Sequence, residues 1–463
     1  MDLLIVLGAL FFLMFAAYKG FSVIIFAPIA AMGAVLLTTP LDVAPVFSGL
    51  FMEKMVIFVK NYFPVFLLGA IFGKVIEISG FSKSIVAAVM GWIGQKRAIP
   101  VIVIVCMLLT YGGVSLFVVV FAVYPFAAEM FRRGNIPKRL IPGAIALGAF
   151  SVTMDALPGT PQIQNIIPTT FFGTTSWAAP WLGIFGSIFV LTCGFMYLEW
   201  RRCSAVRNNE GYGTDLVNEP VAVDTANLPS PWLALAPLVL VGVSNFFLTR
   251  WIPIWYGEKS VVDLPGLTAP LTTSIKSVTA IWAVEGALIL GILFVIITAF
   301  SLVKKSFAES TKSAVGGAML ASINTASEYG FGAVIASLSG FLIVRDLLQG
   351  IADPLVKAGV SVTSLAGITG SASGGMVIAL GAMGDQLLAS ANAMGIPPEV
   401  LHRVVSMASG GMDTLPHNGA VITLLAVAGL THKQSYKDIF AVTIIKSLAV
   451  FFVIGIYYLT GIY

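Results

Sequence analysis

Charge is scarce in this chain: only 10% of its 463 residues are Asp, Glu, Lys or Arg, and three are histidine. Soluble domains carry roughly a quarter charged residues, so a water-facing globular surface is excluded. Cysteine is equally scarce. Cys106, Cys193 and Cys203 lack zinc or redox spacing and read as small apolar packing residues. The formal net charge of +4 is small and scattered, which argues against nucleic acid as a partner. No GxxxxGK[ST] phosphate loop occurs, so ATP is not expected as the direct power source. No cofactor or metal is expected. The start, Met1-Asp2, lacks a basic n-region, so the first apolar run is expected to be a retained span and not a cleaved signal.

What the chain has in quantity is apolar sequence. Hydrophobic residues make up 58% of it, and the mean hydropathy is +0.95. The runs 3–18, 21–38, 280–303 and 439–459 are each long enough to span about 30 Å of hydrocarbon. The 46 glycines and 23 prolines suit a transmembrane bundle. The expected fold is an all-α polytopic membrane protein with about 11–14 membrane segments. The lipid bilayer, in a bacterium the cytoplasmic membrane, is its expected location.

One phrase occurs twice, Met154-Asp155-Ala156-Leu157-Pro158 and Met412-Asp413-Thr414-Leu415-Pro416. Each puts a carboxylate and a helix-breaking proline inside apolar sequence, an arrangement costly enough in a membrane to need a functional reason. Other matches recur in the same order: Gly73 with Gly332, Gly80 with Gly340, and Ile136-Pro137 with Ile396-Pro397. The offsets are 259 (73 to 332), 260 (80 to 340), 260 (136 to 396) and 258 (155 to 413). Near-constant spacing points to a duplication. The expected units are residues 1–200 and 231–463, joined by a polar, solvated connector over 201–230. Residues 251–277 are expected to form a second hydrophilic loop outside the bilayer.

Loop charge gives the relative orientation of the units. Arg132, Arg133, Lys138 and Arg139 precede the first acidic phrase; the equivalent loop, 391–399, has neither lysine nor arginine, with only Arg403 just beyond. After the phrase the bias reverses: 174–180 is uncharged, whereas its counterpart holds His432, Lys433 and Lys437. Because cytoplasmic loops collect Lys and Arg, the two repeats are expected to be inverted. Lys304-Lys305, opposite the Lys/Arg-poor stretch 39–51, agrees with this.

Between Ile99 and Phe131 the apolar sequence is interrupted by Thr110-Tyr111-Gly112-Gly113-Val114-Ser115. Basic residues flank it on both sides (Gln95-Lys96-Arg97 and Arg132-Arg133), which predicts a re-entrant hairpin of two half-helices, about 14 and 18 residues long. The second unit offers Gly367-Ile368-Thr369-Gly370-Ser371-Ala372-Ser373-Gly374-Gly375 at the corresponding place. Half-helix N-termini and hydroxyls at such tips can hold an anion; alternatively, these small residues let helices pack closely. Asp155 is followed by Pro158, Gly159, Thr160, Pro161, Gln162 and Asn165, with Pro168 beyond, and Asp413 by Thr414, Pro416, His417 and Asn418. Three prolines in eleven residues predict a broken helix. The aspartates have two readings, as caps of broken helices or as groups binding a proton, a cation or a substrate hydroxyl. His417 reads as a neutral core histidine, a proton relay or a substrate contact. Glu328, in the weaker polar cluster 324–328, could simply cap a helix running on to Leu348. Glu77, Glu285 and Asp385 are isolated acids in apolar runs.

The hairpin around Gly112-Gly113, the phrase Met154 to Pro158 with its continuation Gly159-Thr-Pro-Gln-Ile-Gln-Asn165, and the two-unit layout resemble the GntP family of permeases in the ion transporter superfamily. The resemblance covers essentially the whole chain. It implies uptake of gluconate or related small hydroxy- or keto-carboxylates with protons. Residues 154–173 resemble the D-β-hydroxybutyrate and short-acid branch more than the gluconate permeases proper. The superfamily implies an elevator-like movement of both hairpins and both broken helices over a scaffold of uninterrupted helices, and a homodimer.

The leading expectation is therefore a proton-coupled symporter for a small organic anion. Asp155 and Asp413 would bind the coupling ion. Gly112, Gly113, Ser115, Thr160, Gln162, Asn165, Ser371, Ser373, Gly374, Thr414, His417 and Asn418 would hold the substrate. No arginine is evident at this site, so dipoles and protonation would have to offset the anionic charge. Sodium remains an alternative coupling ion. A cation/proton antiporter using the aspartate pair is the competing transport reading. An intramembrane aspartyl protease, also built on two membrane carboxylates, lacks its Tyr-Asp and Gly-x-Gly-Asp phrases; Gly381-Ala-Met-Gly384-Asp385 is only a near miss. An enzyme is not expected.

Overall fold

The computed structural model describes residues 1–19, 21–94, 97–214, 217–220, 228–343 and 350–463. Gln95 and Lys96 of the basic flank, Asp215 and Asp224 of the connector, and Leu348 lie outside those residues.

The protein is an all-α polytopic membrane protein. The first two apolar runs form α1 (Asp2–Tyr18) and α2 (Val23–Thr38). Residues 40–51 wind through short turns into α3 (Met52–Ile78), and α4 (Phe81–Ile93) follows. Next come α5 (Ala98–Tyr111), α6 (Leu116–Arg133), α7 (Ile141–Ala149), α8 (Val152–Asp155), α9 (Ile163–Phe172) and α10 (Pro180–Arg207). From Pro231 follow α11 (Pro231–Tyr256), α12 (Ile275–Thr298), the long α13 (Phe300–Ser337), a helix pair α14 (Pro354–Thr369) and α15 (Ala372–Ala393), an interrupted pair α16 (Pro398–Ser409) and α17 (Gly419–Ala428), and α18 (His432–Thr460). Helix α3 packs along α13, and α10 along α18.

Six helical stretches among the described residues are long and apolar enough to cross a membrane: Pro40–Ile78, Pro180–Arg207, Pro231–Tyr256, Ile275–Thr298, Ala372–Ala393 and His432–Thr460. Five further apolar helices, Asp2–Ala16, Val23–Thr38, Phe81–Ile93, Ala98–Tyr111 and Gly419–Ala428, are shorter, 10–17 residues. Trp232, near the start of α11, stacks near Trp92, and Trp251 and Trp255 pair near its other end. At 1.5 Å per residue, Trp232 and Trp255 are about 35 Å apart, the spacing of two interfacial aromatic belts.

Several expectations change. The apolar run 280–303 is not one span, because Ala299 leaves helical geometry (φ −120°, ψ 30°) and redirects the chain into α13. The cluster 324–328 lies in the unbroken middle of α13, where no proline intervenes, so Glu328 is not a helix cap. Residues 251–256 stay helical, and the hydrophilic insertion is an antiparallel hairpin, β1 (Lys259–Val262) with β2 (Leu271–Ser274), paired from Lys259 with Ser274 to Val262 with Leu271. Pro168 sits inside α9, so the break comes only from Pro158 and Pro161.

The connector is not simply solvated. Helix α10 takes up its first residues, to Arg207, and a later part straps the ends of α6, α7 and α17. The Tyr212 N–H donates to Asn135 Oδ1 (3.1 Å), Tyr124 OH donates to the Asn218 carbonyl (2.8 Å), and Asn218 Nδ2 donates to the Ala426 carbonyl (2.8 Å). The basic loop supplies the charges that hold this strap: Lys138 pairs with Glu219 (2.8 Å), Arg132 also pairs with Glu219, and Arg139 makes a two-pronged bond to Glu210 (2.6 and 2.7 Å). The opposite charges of the loop and the connector neutralise each other.

Candidate functional site

Helices α5 and α6 have the expected lengths, 14 and 18 residues, and pack on each other around residues 112–115. Gly113 has φ +95°, a geometry that favours glycine, and sits against Leu288 and Pro161. A side chain at Gly112 would collide with Leu238, so this glycine allows α11 to approach the tip. Ser115 stands at the N-cap of α6 without a side-chain capping bond. The second hairpin turns at Gly370 (φ +65°). There Ser371 Oγ accepts from the Gly374 N–H (3.0 Å), capping α15, and donates to Glu328 Oε2 (3.2 Å); Ser373 Oγ lies 3.2 Å from Thr325 Oγ1.

A helix break inside a membrane exposes main-chain groups that need partners. At the first break Thr160 Oγ1 donates to the Thr153 carbonyl (2.5 Å) and Gln162 Nε2 to the Thr110 carbonyl (2.7 Å) of the neighbouring hairpin. Asn165 Nδ2 bridges the Thr160 and Ser176 carbonyls (3.0 and 2.8 Å). At the second break Asn418 Oδ1 accepts from the Ala420 and Val421 N–H groups (2.6 and 3.0 Å), capping α17, and its Nδ2 donates to the Gly370 carbonyl (2.8 Å). Asn418 is the residue that caps α17, and Asp155 is the last residue of α8; the Asp413 carboxylate meets the main-chain N–H groups of Asp413 and Thr414 at the break. Thr414 Oγ1 pairs with Thr443 Oγ1 at 2.7 Å.

Two cations that the sequence reading left outside the site hold these breaks together. Arg403, on α16, is fully buried, not a loop charge; the site does contain an arginine. Its Nε and Nη2 donate to the Ala178 carbonyl (3.2 and 2.8 Å), and Nη1 donates to the Asp155 carbonyl and to Asn165 Oδ1 (both 3.0 Å). The guanidinium therefore crosses from the second half to fix free carbonyls of the first. Lys446, on α18 and 3% exposed, donates to Asp413 Oδ1 (2.7 Å) and to the Phe150 carbonyl (2.8 Å), where α7 ends. A lysine inside the apolar run 439–459 was a legible signal, because it needs a partner at membrane depth. His402 was also missed. It is fully buried, with Nδ1 2.6 Å from Thr174 Oγ1 and Nε2 3.3 Å from Asn165 Oδ1.

Asp155 and Asp413, 5% and 6% exposed, come together in this core, close enough for Asp155 to interact electrostatically with Asp413, Lys446 and Arg403. Their situations differ. Asp413 has a direct ion pair, whereas Asp155 bonds through its main-chain carbonyl to Arg403 and Ser406 Oγ (2.7 Å). Its carboxylate lies against Gly410, where any Cβ would collide with Oδ2. The arrangement gathers two carboxylates around one lysine, which suits binding and release of one positive charge. Close by, His417 packs its ring edge on Gly370, and its Nε2 is buried without a hydrogen-bond partner, facing the second hairpin tip.

The expected substrate-binding amides and hydroxyls are thus mostly engaged with main chain, whereas His417 keeps one buried ring nitrogen, Nε2, without a hydrogen-bond partner among the described residues. A cavity of about 180 Å³ lies elsewhere, where α9 and α15 meet α3 and α13, walled by Phe58, Tyr62, Thr170, Phe171 and Tyr329. None of the expected site residues lines it. Of the isolated acids, Glu77 pairs with Lys74 (3.0 Å), and Asp385 is exposed.

No protein-family model matches the chain. A protein of Bacillus subtilis (strain 168), named as the uncharacterized transporter YxjC, is 58% identical over 474 residues, covering all of both chains. Among solved structures, the crystal structure of the Alcanivorax borkumensis YdaH transporter, described as having an unusual topology, matches with TM-score 0.45 and 15% identity over 92% of this chain and 90% of that one.

Proposed function

As the chain belongs to the transporter family that includes YxjC, it is a multi-pass membrane transporter, and we propose that it is a proton-coupled symporter importing a small hydroxy- or keto-carboxylate, of the hydroxybutyrate or gluconate type. The observation carrying this reading is the buried group of Asp155, Asp413 and Lys446 at the meeting of two helix breaks. Lys446 pairs directly with Asp413, and Arg403 spends its hydrogen bonds on carbonyls and an amide, so the Asp155 carboxylate has no direct ion pair and is the group a proton would occupy. His417 Nε2 and the N-terminus of α15 would receive the substrate carboxylate; Ser371 and Ser373 would contact its hydroxyl.

The two units, 1–200 and 231–463, are inverted repeats in this reading. Both hairpins and both broken helices form the moving body. Helices α1 to α3 and α11 to α13 form the scaffold and the homodimer contact in the cytoplasmic membrane. The 180 Å³ cavity would mark the seam between the two bodies.

Uptake of labelled D-3-hydroxybutyrate and gluconate into proteoliposomes tests the proposal. D155N is expected to lose uphill accumulation at least about tenfold while remaining folded, the size of effect that losing an essential charge gives. Normal accumulation by both D155N and D413N would overturn it. Sodium-driven proton flux without any organic acid would favour the antiporter.

A further inference from the structure

Glu328 stands apart from the other buried acids. It is 4% exposed, in the middle of α13, on the face that meets the tip of the second hairpin. Asp413 has Lys446 at 2.7 Å, and Asp438, also buried, has Arg201 at 2.6 Å and Arg139 at 3.4 Å. Among the described residues, no Lys, Arg or His is paired with Glu328. Its contacts come from the hairpin: the Ser371 hydroxyl donates to Oε2, and the carboxylate lies flat on Gly374, where any Cβ would collide with it. One turn earlier Thr325 makes the matching contact to Ser373. The tip therefore rests on α13 through a carboxyl and three hydroxyls, without a countercharge.

A carboxylate buried this way is costly when ionised and inexpensive when it carries a proton. A second observation fits the protonated form. Asn324, four residues earlier and on the same helix face, has its Oδ1 buried without a donor. A neutral carboxylic acid has an O–H to offer; a carboxylate does not.

We propose that Glu328 is a proton-carrying site of the transport cycle, loaded while the hairpin tip rests on α13 and emptied when the tip moves away and water reaches the carboxyl. This deepens the proton-coupled reading above and rests on it. The chemistry is a simple transfer: the carboxylate takes one proton from hydronium on one side, leaving water, and the acid returns one proton to water on the other. Loading removes the charge and lets the tip slide along α13; an empty, charged Glu328 on the fixed scaffold resists being covered by the dry tip.

The groups around Glu328 leave it as the titrating one. The hairpin presents Ser371, Ser373 and Gly374, none of which titrates near neutrality. Helix α3 brings Tyr62 to the cavity wall and carries Glu53, Lys54, Lys60, Lys74 and Glu77 along its length; α13 itself has Tyr329 at the wall with Lys304, Lys305, Glu309 and Lys312 nearer its start; and α15 carries the exposed Asp385. Helix α2 and residues 46–51 carry no titratable side chain, and α12 carries Lys276 and Glu285.

E328Q, which mimics the protonated acid in shape, tests this in proteoliposomes against D155N. Using labelled D-3-hydroxybutyrate, or gluconate if that is the acid transported, E328Q is expected to keep equilibrium exchange within about twofold of the wild type, lose accumulation driven by a pH gradient at least about tenfold, and lose the pH dependence of exchange. E328D is expected to restore part of the accumulation. Independently of any substrate, infrared difference spectra across a pH step should contain a protonated-carboxyl band that E328Q removes. A variant that accumulates with normal pH dependence, or that keeps the band, overturns the proposal. If the wild type accumulates neither acid under a pH gradient, the symport reading itself falls. If D155N alone loses accumulation, that reading stands and the role of Glu328 does not.

Discussion

Asp155 and Asp413 occupy matching places in the two breaks, yet Lys446 bonds directly to only one of them. In the proposed mechanism this divides the labour: Asp413 and Lys446 form a structural pair, and Asp155 is the titrating member. Breaking a buried pair strands its partner, so K446M is expected to cost about 3–5 kcal/mol, read as a lowered Tm in detergent. The double variant D413N/K446M should recover part of that loss, because no charge is then left alone; equal Tm values for the two variants would contradict the pairing. Arg403 is held by three acceptors, two of them main-chain carbonyls. R403A leaves them bare at about 1–3 kcal/mol each, so it should fail to give a monodisperse protein, with R403K intermediate.

At the scale of the elements, a hairpin needs a tip and a break needs something to close it. Tips and breaks were legible in the sequence because glycine and proline interrupt apolar runs: α5 and α6 end where Gly112-Gly113 requires, and α8 and α9 part around Pro158 and Pro161. What closes the breaks was legible only in part: Lys446 stands out in an apolar run, but its partners and those of Arg403 do not. Arg403 and Lys446 bind carbonyl oxygens hundreds of residues away, and a carbonyl has no sequence signature. Likewise nothing local marks Ala299, a single non-helical residue inside an apolar run. The breaks also make specific steric predictions. G410A places a methyl group on the Asp155 carboxylate and should abolish uptake, whereas G455A, on α18, has nothing within 4 Å of its added carbon and should be neutral. N418A removes the cap of α17 and should cost about 1 kcal/mol, seen as a small fall in Tm.

Over the whole molecule, the strap through Glu210 and Glu219 ties the first half's basic loop to the connector and so to α17 in the second half. The hydrogen bonds from Arg139 hold Glu210 below its usual 4.5. At Glu219 burial pushes upward, but the bonds from Lys138 and Arg132 outweigh it, and the net shift is again downward. A lowered folded-state value means that these groups stabilise the protein above the ordinary glutamate range and lose that contribution as pH falls through and below about 4.5. Tm should accordingly hold steady from neutral pH to about 5 and fall below it, and E210Q/E219Q should flatten that fall. For the molecule as a whole we propose that one cluster of buried charges moves a proton together with an organic acid. The most direct measurement is the external pH of a lightly buffered suspension of proteoliposomes when D-3-hydroxybutyrate or gluconate is added in sodium-free medium. Proton symport predicts prompt alkalinisation outside, matched to substrate entry and absent in D155N; substrate entry without a pH change, or only when sodium is supplied, would contradict it.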